Sequence, residues 1–235
     1  AVLAIAGSGN GNNGDSMTLT ITPSETIGTP TCVFKSGGAA MANTVSYSTD
    51  GADHICTIAV ADADTDGAVS FTLDFSDSAG NAATQVVSAS AGSVTIDNTH
   101  PTATAAVLAI AGTGNGNNGD SMTLTITPSE AIGTPTCVFK SGGAAMANTV
   151  GYSTSGSDHI CTIAVADADT NGAVTFTLDF SDSAGNAATQ VTSASAGSVT
   201  IDNTHPTATA AVLAIAGSGN GNNGDSMTLT ITPSE

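Results

Sequence analysis

The run Ala-Val-Leu-Ala-Ile-Ala-Gly begins at Ala1, returns at Ala106 and returns again at Ala211, so the chain repeats with a period of 105 residues. One period is the size of a small domain, which demands that each copy build a core largely from its own residues. The segment Ser93–Thr102, unchanged at Ser198–Thr207, marks the joint between copies. The expected organisation is residues 1–100 as a first unit, 101–205 as a second, and 206–235 as the first two strands of a third, a window onto a longer array. Two strands alone bury no core, so the third piece needs neighbours.

Within a repeat the apolar residues alternate with period two. Met17, Leu19 and Ile21 are interleaved with Thr18, Thr20 and Thr22, and Val69, Phe71, Leu73 and Phe75 with Ser70, Thr72 and Asp74. Such patterns describe half-buried strands. Shorter strands are expected at Val2–Ala6, Thr31–Lys35, around Thr44–Ser48 and from His54 to Val60. A last strand ends at Asp97, with an interruption around Ala89–Ser93. Gly7–Asp15, Gly37-Gly38, Asp62–Gly67 and Asp77–Asn81 carry turn chemistry and read as loops. Seven short strands without helical periodicity predict an all-β fold: tandem immunoglobulin-like antiparallel β-sandwich domains arranged as an extended rod. In the expected sandwich the strands following Thr31 and His54 lie on opposite sheets.

Each period holds one pair of cysteines, Cys32 with Cys56 and Cys137 with Cys161. Alternation points all four inward, and one disulfide per domain implies an oxidising, extracellular setting; two buried free thiols per domain are the alternative. Lys35 and Lys140 are the only basic residues against twenty acids, a formal charge of −18. That balance argues against nucleic acid or an anionic membrane as partner and favours cations. No apolar run is long enough to span a bilayer. No nucleophile, base and orienting group converge at catalytic spacing, so no enzyme is expected.

The stretches Gly14–Thr22, Asp64–Leu73, Asp77-Ser78-Ala79-Gly80-Asn81 and Val94-Thr95-Ile96-Asp97 ahead of Pro101 together resemble the bacterial immunoglobulin-like repeats of very large surface proteins and adhesins. The resemblance runs through the whole repeat. It implies secreted stalk domains, often stiffened by calcium, with ligand binding left to other modules. The cysteine pair is not a general feature of that family and stands on the alternation alone.

The loop Asp62-x-Asp64-x-Asp66-Gly67, with its copy Asp167-x-Asp169-x-Asn171-Gly172, has the oxygen spacing of a calcium loop but no glutamate at its twelfth position. It is either a β-hairpin calcium site or a turn rich in aspartate. Sandwich geometry places it at the end where the chain exits. There Asp62, Asp64 and Asp66 meet Asp97 and Asn98 of the joint, together with Glu130, Asp182 and Asn186 of the next repeat; Asp167, Asp169, Asn171 and Asp202 serve the joint after that. Crowded carboxylates repel unless neutralised, which predicts calcium at each joint. His100 and His205 read as ordinary polar linker residues.

The expected role is an extracellular stalk or filament shaft. Its partners are neighbouring repeats and, in a fibre, lateral copies, with no membrane contact by this segment. The alternative is a ladder of weak glycan or ice sites acting by avidity; Tyr47 and Tyr152 are its only candidates for stacking. The first two copies differ at eight positions, among them Asp66/Asn171, mostly on surfaces and loops.

Overall fold

A computed structural model describes residues 1–6, 9–112, 114–216 and 219–234. Gly7, Ser8 and Thr113 of the expected loops, and Glu235, lie outside the described residues. In the first repeat the strands are β1 (Val2–Ile5), β2 (Asn10–Gly11), β3 (Ser16–Ile21), β4 (Thr31–Ser36), β5 (Ala39–Ala40), β6 (Ser46–Asp50), β7 (Asp53–Ala59), β8 (Gly67–Asp74) and β9 (Thr95–Ile96). They form two sheets, ordered β1-β3-β7-β6 and β2-β9-β8-β4-β5.

The second repeat duplicates this arrangement. Its strands are β10 (Ala103–Ile110), β11 (Asn115–Gly116), β12 (Ser121–Pro128), β13 (Thr136–Ser141), β14 (Ala144–Ala145), β15 (Gly151–Ser155), β16 (Asp158–Ala164), β17 (Gly172–Asp179) and β18 (Thr200–Ile201). The sheets run β10-β12-β16-β15 and β11-β18-β17-β13-β14. Two facing sheets with this order and antiparallel pairing throughout, except where β2 meets β9 and β11 meets β18 in parallel, define an immunoglobulin-like sandwich.

Period-two alternation becomes burial directly. Met17 and Leu19 are fully buried and Ile21 nearly so, facing Cys32, Phe34, Phe71 and Leu73 from the other sheet. Phe34 lies opposite Phe71 in the β4/β8 register, their rings tilted with centroids 6.5 Å apart. Cys32 on β4 and Cys56 on β7 are joined by a disulfide that ties one sheet to the other, and Cys137 and Cys161 do the same between β13 and β16.

Two local readings are corrected. The glycine- and asparagine-rich stretch expected as a plain loop contains β2, whose Asn10 and Gly11 pair with Thr95 and Ile96. The last strand has its expected interruption, but the break begins near Ala82 rather than at Ala89. From Ala82 to Ser93 the residues are mainly Ala, Ser and Thr, without alternation, and make single bridges: Ala82 to Ser76, Val86 to Leu73 of β8, then Ala91 to Val2 of β1 in the other sheet. Gly92 permits that crossing, having φ +83° and so little room that an added Cβ would fall 1.8 Å from the Leu3 carbonyl oxygen.

Beyond the second repeat, β19 (Ala208–Ile215) and β20 (Met227–Pro233) pair as a hairpin in the same register as β10 and β12. Met227, at 70 % exposure, is the counterpart of the fully buried Met122. The hairpin thus carries the apolar face of a sandwich without the opposite sheet.

Candidate cation site at the joint between repeats

Three turns converge where the first repeat passes into the second. The first is the linker leaving β9, fixed by hydrogen bonding of the Asp97 amide to the Gly11 carbonyl at 2.9 Å. The second is the turn after β12 that carries Glu130. The third is Asp182-Ser183-Ala184-Gly185-Asn186, beyond β17. In this last turn Asp182 Oδ1 accepts from the amides of Gly185 (2.8 Å) and Asn186 (2.9 Å), while Oδ2 accepts from Asn186 Nδ2 (2.8 Å). The D-x-A-G-N sequence therefore closes on itself and fixes the carboxylate in place.

The second repeat grips the linker through its backbone. Asn186 Nδ2 donates to the Asp97 carbonyl at 2.7 Å, and the His100 ring donates from Nδ1 to the Ala187 carbonyl at 2.8 Å. Ser129 receives the next residues, its amide bonding to the Thr102 carbonyl (2.8 Å) and its hydroxyl accepting from the Thr102 amide (2.9 Å). Asn186 is 3 % exposed in consequence, whereas its counterpart Asn81, with no linker over it, is exposed.

Asp97, Glu130 and Asp182 each bring a carboxylate oxygen within 4.8 Å of the others. Glu130 Oε1 is buried and has no hydrogen-bond partner. Its carboxyl is held above the ordinary glutamate value of 4.5, first by burial, then by the negative charges of Asp97, Asp182 and Asp66. A raised carboxyl pKa means that the folded joint gains stability on protonation and loses it as pH rises through the elevated value. In EDTA the melting temperature of the second repeat should therefore rise as pH falls from neutrality toward the ordinary glutamate value of 4.5, and Glu130→Gln should flatten that slope. An identical slope in the variant would remove Glu130 as the cause.

The other acids read from the sequence are placed differently. Asp64 is 5 % exposed, with Oδ1 accepting from the Ala42 amide (2.7 Å) and Oδ2 from the Ala61 amide (2.9 Å); Asp169 repeats this with Ala147 and Ala166. Both carboxylates serve to hold their own loops. Asp62 is exposed and stands outside the cluster. Asp66 lies beside the cluster, bonded to the linker at Asn98 and Thr99. Asp167 and Asp202 flank an open pocket of about 250 Å³ at the second joint, with Asn117 and His205; Asn171 bonds there to the Asn203 amide. The glutamate that would answer Glu130 at that joint is Glu235, outside the described residues.

Asn98, expected at the joint, lies there, its Nδ2 tying the linker to the carbonyls of Ala61 (3.0 Å) and Asp64 (3.1 Å), whereas the role of His100 as a clasp on Ala187 was not evident from sequence. A histidine in a linker carries no signature of its acceptor. Tyr47 and Tyr152 lie exposed on the edge strands β6 and β15.

No protein-family model matches this chain, and no curated protein matches it. Among solved structures it is similar to a marsupial T cell receptor, at 12 % identity and TM-score 0.48, covering 91 % of this chain and 77 % of that one. It is also similar to an I-band fragment of titin (11 % identity, TM-score 0.40, 98 % and 76 % covered) and to the ectodomain of mouse nectin-like molecule 4 (14 %, 0.29, 86 % and 64 %). All three are tandems of immunoglobulin-like domains.

Proposed function

We propose that this chain is part of an extracellular stalk or filament shaft, of the kind its sequence resembles in bacterial surface adhesins. Its repeats set distance, and a calcium ion held between Asp97, Glu130 and Asp182 stiffens their joints. The observation that carries this reading is the meeting of carboxylates from two repeats around a buried glutamate oxygen without a partner. An all-oxygen, anionic donor set suits a hard divalent cation, and calcium tolerates irregular geometry drawn from several loops. When bound, the ion would offset the mutual repulsion of the three carboxylates and cross-link the linker to the second repeat. The two disulfides support placement outside the cell. Among the described residues, no helix is long and apolar enough to cross a membrane.

The test is calcium removal. Extracellular calcium modules bind with Kd of roughly 10⁻⁴–10⁻³ M, so about 2 mM calcium should stabilise the joint by about 0.6–1.8 kcal/mol. That corresponds to about 5–10 °C in the melting temperature of the second repeat, with a longer maximum dimension in small-angle scattering than in EDTA. Melting and scattering profiles unaltered by EDTA would sink the calcium reading.

A further inference from the structure

The two repeats supply a comparison that one domain could not. Of their eight differences, one falls at a residue bonded to the linker: position 66 is Asp in the first repeat and its equivalent, 171, is Asn in the second. One side-chain oxygen does the same work in both places. Asp66 Oδ1 accepts from the Asn98 amide at 2.7 Å, and Asn171 Oδ1 accepts from the Asn203 amide at 2.7 Å.

The second atom behaves oppositely. Asn171 Nδ2 donates to the Asp202 carboxylate at 3.0 Å and to Thr204 Oγ1 at 2.7 Å. The linker aspartate of that joint is thereby satisfied from its own domain by a neutral donor. Asp66 has no proton to give. Its Oδ2 instead accepts from the Thr99 hydroxyl at 2.7 Å, and the Asp97 carboxylate accepts from the Thr99 amide at 3.1 Å alone among the described residues. Asp97 then meets Glu130 and Asp182 with its charge unrelieved, and Asp66 adds to the negative field on Glu130.

We infer that the residue at position 66, or 171 in the next copy, selects whether a joint depends on a cation. With Asp, the linker carboxylate stays uncommitted and the joint closes around calcium. With Asn, the amide clamps the linker to its own domain, and the joint holds without one. In an array of otherwise matching spacers, a single-atom exchange between oxygen and nitrogen thus sets which joints respond to calcium and which do not. This inference rests on the calcium reading above and concerns only which residue governs it.

Asp66→Asn in the full chain is the direct test, and the presence of Asn171 in a folded repeat shows that the substitution is tolerated. Calcium titration by calorimetry should give roughly tenfold weaker binding at the first joint than in the wild type, since the introduced amide engages the Asp97 carboxylate and one negative charge beside the site is lost. In EDTA the same variant should melt higher than the wild type, because the side-chain amide introduced at position 66 can donate to Asp97, and its calcium-induced shift should shrink. Asn171→Asp should do the reverse in EDTA, lowering the melting temperature as Asp202 loses its donor. Wild-type calcium binding together with an Asp66→Asn variant that binds equally well, or melts lower in EDTA, overturns this inference alone. A wild type that shows no calcium response overturns it together with the calcium reading.

Discussion

Replacing Cys137 and Cys161 together by alanine is expected to lower the melting temperature of the second repeat by roughly 15–20 °C while leaving the first close to its wild-type value. The bridge closes a loop whose ends are 24 residues apart in sequence, and its loss should cost about 3–4 kcal/mol through the freedom restored to the unfolded chain. The site makes compensation difficult. Cys161 is fully buried and Cys137 is 4 % exposed, so the variant also leaves a gap between the sheets. The core around it has few large side chains: Phe139, Phe176 and Phe180 are its only aromatic residues. Calorimetry of the full chain should resolve one unfolding transition into two. A single transition displaced by less than about 5 °C would show that packing alone carries the sandwich.

Gly197→Ala should cost about 3 kcal/mol, the other large effect, and for a reason that lies entirely in the backbone. Gly197 has φ +83°, and a Cβ there would sit 1.9 Å from the Leu108 carbonyl oxygen. To make room, the chain must withdraw from β10, which breaks the bond from the Leu108 amide to the Ala196 carbonyl and loosens that of Ser195 to Ala106. Gly80→Ala is the matched control, since Gly80 has φ +94° but nothing within 4 Å of an added Cβ. It should cost only the conformational strain, roughly 1 kcal/mol. Urea denaturation of the two variants separates the terms. Equal losses would mean that the close approach to Leu108 contributes nothing.

The strands that could be read from sequence were those in which large apolar residues alternate with threonine, as at Met17–Ile21 and Val69–Phe75, because burial on one face writes itself as period two. Where the chain crosses between sheets, from Ala82 to Ser93, small residues carry no such record; an interruption could be read at Ala89–Ser93, while its earlier start and the crossing itself became visible only in the hydrogen bonds. The two-residue strand at Asn10–Gly11 was hidden for a related reason: it contributes backbone pairing and almost no side-chain pattern. At the joint, the order of loops around a sandwich was enough to bring Asp97, Glu130 and Asp182 to one place. Their neighbours were harder to read. Asp64 and Asp66 look alike in an Asp-x-Asp motif, yet one is spent on the amides of Ala42 and Ala61 and the other reaches the linker. Spacing cannot distinguish a carboxylate facing its own loop from one facing outward.

The parallel pairing of β11 with β18 bears on how a repeat would respond to being pulled. Tension along the chain passes through β10, which is held to β12, into Asn115–Gly116 and leaves through the segment following Thr200–Ile201. Because these neighbours run in the same direction, they are drawn past each other lengthwise. The bonds from Thr200 to Gly114 and from Asp202 to Gly116, both 2.9 Å, are then loaded together and must fail together, where a peeled hairpin would surrender them singly. A unit wired in this way resists force along the seam where an early and a late strand run side by side.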